Sequence, residues 1–191
     1  NRRLRQSFLE TVQTLAKVAE FHSVLIGSHA QRVSRLSGAI AARLGLPEAD
    51  RFRIEMAGTL HDIGKVGLPA EILGRPEHTL TRHEAEVLRQ HPLYGEAILS
   101  RLHDLEEVAR LVRHHHEQFG GGGYPDGLRG EGIPLGARII AVADAYDKAM
   151  NTRAHYVSAT SEKALQLLRG RSPEHLDPAV LVKGTKAKLL L

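Results

Sequence analysis

The sequence predicts an all-α helical bundle, and three observations carry that prediction. Apolar residues recur every three or four positions along almost the whole chain, strand-type alternation is nearly absent, and Gly, Pro and capping residues separate the helical runs. With 191 residues, 42% hydrophobic and 25% charged, the chain fits one globular domain with a sizeable core. It has no cysteine, which excludes disulfides, thiolate metal sites and cysteine nucleophiles. No apolar run approaches the roughly 20 residues of a membrane span, and the arginine-rich N-terminus lacks an apolar signal core, so a cytoplasmic protein is expected. The formal charge of +4, from 26 Lys and Arg against 22 Asp and Glu, is too mild for a DNA or RNA partner. The chain opens at Asn1, which suggests a fragment with a regulatory domain upstream.

In order, a first helix over 1–20 carries Leu4, Phe8, Val12, Leu15 and Ala19 on one face and is a candidate link to that upstream domain or a dimer contact. A main domain is expected over 21–183. A helix over about 28–44 steps through Leu25, His29, Val33, Leu36 and Ile40 and closes at Gly45 and Pro47. The next carries Ile54, Ala57 and Leu60 into His61-Asp62, stops between Gly64 and Pro69, and gives way to a loop to about Leu80. Thr81 with Glu84 three residues on forms a capping box for a helix reaching His91, where Pro92 breaks or restarts the chain. Helices at about 94–102 and 105–117 lead into a glycine-rich loop, followed by helices over 134–150 and about 161–168. The end of the chain, including a tail over 184–191, has no assigned element.

Of twelve histidines, His22, His78, His83, His103, His155 and His175 lie beside polar residues or in loops and need no special account. His61-Asp62 differs, because two such groups at the buried end of an apolar helix are costly unless something pairs them. A metal is the economical partner, and the Asp62 carboxylate could bridge two ions. Lys65, one turn later, would sit near the same face for a phosphate oxygen. His114, His115 and His116 span about 200° of helix and cannot share one centre. His115 and His116 continue the stripe of Val108, Leu111 and Val112, so they should point inward, while His114 points outward to solvent. Asp144 interrupts the apolar run Ile139-Ile140-Ala141-Val142-Ala143 with no Lys or Arg one turn earlier to neutralise it, and a metal would do so. His29 on an apolar face and His91 before a proline are ambiguous on their own.

Together these residues carry a family resemblance. His29 with Arg32-Val33, HDIGK at 61–65 before Leu68-Pro69, His91-Pro92 with Gly95, HHE at 115–117, Gly123-Tyr124-Pro125-Asp126-Gly127, Ile133-Pro134 and ARIIAVADAYD at 137–147 resemble the HD-GYP family. This is a branch of the HD-domain metal-dependent phosphohydrolases. The resemblance implies an HD-domain bundle with a metal centre inside it, beside a GYP loop, hydrolysing cyclic di-GMP to pGpG and onward to GMP in bacterial signalling. It implies the ligands His29, His61, Asp62, His91, His115, His116 and Asp144, with Asp62 bridging. It implies catalytic roles for Asp62 and Lys65, and substrate contacts from Lys65, Tyr124 and Arg153. The loop Gly123, Tyr124 and Pro125 is implicated in contacts with diguanylate cyclase domains. Two ions about 3.5 to 4 Å apart activate water and clamp phosphoryl oxygens. Nitrogen and oxygen ligands suit iron or manganese, which the family favours, with zinc, nickel or cobalt as other candidates.

The departures are specific. Leu25 stands where three-metal members have a glutamate, so two divalent ions are expected. Gly120 stands where the family has an aspartate, so the loop lacks a charged anchor and its four glycines read as a mobile hinge. Lys148-Ala149-Met150 and Arg153-Ala154-His155 replace Ala-Leu-Thr and Arg-Pro-Tyr, with Tyr156 displaced by one. Two rival readings follow: a module that binds cyclic dinucleotide or a partner protein without efficient hydrolysis, and an HD phosphohydrolase acting on another nucleotide.

Overall fold

The computed structural model describes Thr14 and residues 29–102, 104–151 and 160–184. The expectations for the first helix, for His22, Leu25, His103, Arg153, His155 and Tyr156, and for 185–191 lie outside the described residues. Among the described residues there is no strand.

Nine helices follow one another among described residues 29–184: α1 (His29–Arg43), α2 (Glu48–Leu60), α3 (Ala70–Leu73), α4 (Arg82–Leu88), α5 (His91–Leu99), α6 (Glu106–His114), α7 (Leu135–Asn151), α8 (Ser161–Arg171) and α9 (Pro178–Gly184). One core joins them. Val33 and Ile40 of α1, Ile54, Ala57 and Leu60 of α2, Val108 and Val112 of α6, and Ile139, Ile140 and Ala143 of α7 are all buried in it. α1 packs on α2 and α7, α2 on α6, and α5 on both α6 and the short 3-10 turn Ile63–Gly67. The site therefore lies where the ends of α2, α5 and α6 meet the middle of α7.

The boundaries differ from the sequence expectation at informative places. The helix opened by Thr81 has the expected capping box, with Glu84 Oε2 accepting from the Thr81 amide at 2.7 Å. It ends at Leu88, and α5 starts at His91, three residues earlier than expected, with Pro92 in its first turn where no amide donor is needed. The expected loop to Leu80 holds α3 and the 3-10 turn Glu77–Thr79. α9 has no counterpart in the sequence reading, and Gly184, assigned there to the tail, is its last residue. Its start is set by Asp177, whose Oδ1 accepts from the amides of Ala179 and Val180 while Oδ2 accepts from Arg138 of α7 at 2.6 Å. No described helix is long and apolar enough to cross a membrane.

Candidate metal centre

His61 ends α2 and Asp62 opens the 3-10 turn, so the two side chains diverge from one corner of the backbone. Gly64 makes that corner possible. A Cβ there would collide with the carbonyl of His91 and the amide of Gly95, so only glycine lets the HDIGK turn lie directly on the first turn of α5. This brings His91, 2% exposed, beside Asp62. α6 ends at His114, earlier than the 105–117 helix expected, and the turn that follows aims His115 and His116 back into the bundle.

All seven ligands expected from sequence converge, in two groups: His29, His61 and Asp144, and Asp62, His91, His115 and His116, with potential ligand atoms within 4.8 Å of one another inside each group. Asp62 also faces the first group. Its Oδ2 lies 3.5 Å from His61 Nε2 and its Oδ1 3.5 Å from His91 Nε2.

The ring orientations follow from local hydrogen bonds. His61, His91 and His115 each donate Nδ1–H to the carbonyl three residues earlier, on Gly58 at 2.9 Å, Leu88 at 2.7 Å and Val112 at 2.6 Å. A carbonyl can only accept, so Nδ1 carries the proton and Nε2 the lone pair. His29 Nδ1 lies 2.7 Å from Asp147 Oδ2, and Asp147 is held in turn by Arg32 Nη2 at 3.0 Å and Asn151 Nδ2 at 3.0 Å.

The donor atoms left over fit divalent cations. His61 Nε2 and Asp144 Oδ1 are buried without a hydrogen-bond partner, and the lone-pair nitrogens of His91 and His115 face each other at 3.4 Å. Such atoms are costly unless a cation lies between them. The donor set is imidazole and carboxylate throughout, which suits first-row divalent ions.

The two groups differ in charge. Burial pushes the His61, His91, His115 and His116 imidazoles down, His91 to about 4, and the neighbouring rings reinforce the effect on His115 and His116. Burial opposes protonation of His29 as well, but its bonds to Asp144 and Asp147 outweigh it and raise its pKa to about 9. Burial alone would push Asp62 and Asp144 up; Lys65, His61 and His91 hold Asp62 well below the carboxylate range, and Lys148 and His29 do the same for Asp144. The cation missing upstream of Asp144 is thus found one turn downstream, with Lys148 Nζ 2.6 Å from Asp144 Oδ2. Lys65 Nζ lies 2.6 Å from Asp62 Oδ2.

The glycine-rich loop is pinned, contrary to the hinge expected. The Phe119 and Gly120 amides donate to the carbonyls of His175 and Glu174 at 3.2 and 2.8 Å, and the Tyr124 amide to that of His116 at 3.2 Å. A Cβ on Gly120 would lie 2.8 Å from the Glu174 carbonyl oxygen, so the aspartate of the family pattern does not fit this backbone. Its anchoring role falls to Glu117, 4% exposed, which accepts from the amides of Asp126 at 2.7 Å and Leu128 at 3.0 Å. Gly123 has no room for a side chain against Glu117 and Gln118, and Pro125 follows Tyr124, whose ring stacks on His116 at 4.9 Å. His114 does point away from the two groups, yet it is not a solvated bystander. Its Nε2 lies 2.9 Å from Asp126 Oδ2, and Arg113 grips the same carboxylate through two nitrogens.

Asp147, Glu117, Asp126 and Lys148 are the residues whose roles sequence reasoning did not assign. The available signal was a charged residue at helical spacing from a ligand: Asp147 three and Lys148 four residues after Asp144. His78, His83 and His175 are exposed and stand in neither group.

A helical bundle built around clustered histidine and aspartate side chains that could hold metal defines the class. Residues 13–180 match the HD domain family. The chain belongs to this HD-domain family. It is 38% identical over 171 residues to the "Cyclic di-GMP phosphodiesterase response regulator RpfG" of Xanthomonas campestris pv. campestris, covering 88% of this chain and 45% of that protein. It is 36% identical to a "Cyclic di-GMP phosphodiesterase" of Thermotoga maritima (90% and 47% covered) and 35% identical to "3'3'-cGAMP-specific phosphodiesterase 2" of Vibrio cholerae (93% and 34% covered). The chain thus spans less than half the length of these relatives. Among solved structures, a cyclic GMP-AMP phosphodiesterase of V. cholerae (V-cGAP3) shares the fold with a TM-score of 0.73 at 22% identity, covering 92% of this chain and 47% of that one.

Proposed function

We propose that this chain is the hydrolytic domain of a two-metal phosphodiesterase that opens cyclic di-GMP to linear pGpG, and onward to GMP. The observation that carries the reading is the convergence of five imidazoles and two carboxylates, with the Nε2 lone pairs of His61, His91 and His115 turned inward and Asp62 turning one oxygen toward each group. The names of the relatives in X. campestris and T. maritima support the substrate.

In this reading His29, His61 and Asp144 would hold one ion and His91, His115 and His116 the other, with Asp62 placed to serve both. Iron or manganese suits the donor set, with zinc, nickel or cobalt as alternatives. When bound, the ions activate water and neutralise charge developing on the phosphoryl group. The chain's own residues do the positioning. The carbonyls of Gly58, Leu88 and Val112 keep three imidazoles in the tautomer that presents Nε2, and Asp147 does so for His29. Lys65 offers its ammonium to a non-bridging phosphate oxygen, Tyr124 flanks the ligand beside His116, and Arg153 contributes a further basic contact. Hydrolysis adds the water oxygen to phosphorus, breaks the bond to the ribose 3′ oxygen, and leaves a 5′-phosphate and a 3′-hydroxyl.

The response-regulator name and greater length of one relative support reading the chain as the output part of a longer, cytoplasmic signalling protein, with a receiver or sensor domain upstream. The GYP loop, held on the end of α6, is the surface we assign to a diguanylate cyclase partner. A second substrate, 3'3'-cGAMP, is favoured by the Vibrio cholerae relatives that bear its name.

The test is metal analysis of the purified protein with an anaerobic chromatographic assay of cyclic di-GMP and 3'3'-cGAMP, with iron and with manganese. Two ions per chain and pGpG as product are expected. Metal retained without product from either dinucleotide leaves a binding module in place of the enzyme.

A further inference from the structure

Lys148 stands on α7 where the HD-GYP pattern has alanine. It repeats, on the first ligand group, the arrangement that Lys65 makes on the second. Each lysine follows a ligand carboxylate by one helical turn and sets its ammonium 2.6 Å from the Oδ2 atom. In Asp144 this leaves Oδ1, 3.3 Å from His29 Nε2, as the oxygen turned toward the first group. Lys148 can therefore stay in place while Asp144 coordinates through Oδ1.

The position of the ammonium is the telling feature. It lies 2.6 Å from Asp144 Oδ2, on the carboxylate whose other oxygen is turned toward His29 of the first group. Its side chain is 57% exposed, against 27% for Lys65, so it is the more accessible of the two lysines. Once two dications take up the carboxylate charge, an ammonium held there is suited to a second anion. A cyclic dinucleotide brings two phosphodiesters, one more than Lys65 can contact at the reacting centre.

We propose that Lys148 is a second phosphate-contacting residue of this site, supplied by α7 as Lys65 is supplied by the turn after α2. The assignment rests on the phosphodiesterase reading and deepens it by naming a recognition group specific to this chain. A residue that only neutralised Asp144 would change metal binding and leave phosphate affinity alone.

The experiment compares wild type with Lys148→Met, Lys148→Gln and Lys148→Arg, each loaded with Mn²⁺. Bound metal per chain, KM and kcat for cyclic di-GMP, and binding of inorganic phosphate are measured. Metal content should stay at the wild-type level while KM and the phosphate dissociation constant rise about tenfold or more in the Met and Gln variants. Arg should restore most of the affinity. Metal loss with KM and phosphate affinity unchanged, or no change in any quantity, overturns the assignment. If wild type cleaves no dinucleotide, the phosphodiesterase reading fails, and the phosphate titration still decides for or against Lys148.

Discussion

The two ligand groups use the same side-chain types but sit in opposite electrostatic surroundings. The second is crowded with imidazoles, with His115 and His116 ring centroids 4.1 Å apart and burial keeping His91, His115 and His116 neutral. The first sets one histidine between two aspartates, which hold a proton on His29 to about pH 9. One group therefore presents its lone pairs at neutral pH, whereas the other must give up a proton before His29 can coordinate. The difference teaches that ligand identity alone does not set affinity; the carboxylates around the ligands do.

The largest effect expected is from Asp62, whose two carboxylate oxygens face different groups. Asp62→Asn should weaken both ions by more than the roughly 100-fold that altering a supporting residue can cost, and abolish hydrolysis. Mass spectrometry that finds one ion still held at wild-type affinity would assign Asp62 to a single group. Next in size is the contrast within the histidine run. His115→Ala should empty the second group, while His114→Ala keeps both ions and loses about 1 kcal/mol of stability with the bond to Asp126, read by denaturant titration. Equal metal loss from both would break the assignment of inward and outward rings.

Asp147→Asn should weaken the first group alone by about 10- to 100-fold, because His29 loses the carboxylate that orients it. A two-site metal titration in which both affinities fall together would erase the distinction between the groups. Counted per pH unit, the smallest effect is that of pH. His29 is raised, so its proton stabilises the metal-free fold below pH 6.5, and that contribution is lost as pH rises toward 9. Metal affinity of the first group should accordingly climb by about tenfold per pH unit across that window, with one proton released per ion. His91 is lowered, so the metal-free fold loses stability as pH falls from 6.5 toward 4. A pH-independent affinity for both groups would remove the electrostatic contrast.

The long helices and the buried positions of His61, His115 and Asp144 were legible in sequence because they rest on local signals, whereas His29 and His91 entered only through the family resemblance. Apolar spacing marks helix faces, and a histidine or aspartate interrupting such a face marks a buried polar group needing a partner. Residues that act through others were less legible. Glu117 looked like the end of a helix, and only the return of Asp126 and Leu128 shows that its carboxylate ties the GYP loop. The four glycines read as a hinge because sequence cannot reveal that the 172–176 turn takes up the amides of Phe119 and Gly120 at the start of the loop. α9 was missed for the same reason: seven residues have little intrinsic stability, and its cap depends on Arg138 holding Asp177 from another helix.

The sequence by itself determined the fold class, the inward face of each long helix and the set of side chains available for metal. The tertiary structure alone decided how those side chains divide into two groups, that Asp62 faces both, and which lysine answers each carboxylate. The physical reason is range: helix periodicity and capping act within a turn, whereas charge pairing and coordination depend on segments brought together from as far apart as His29 and Asp147.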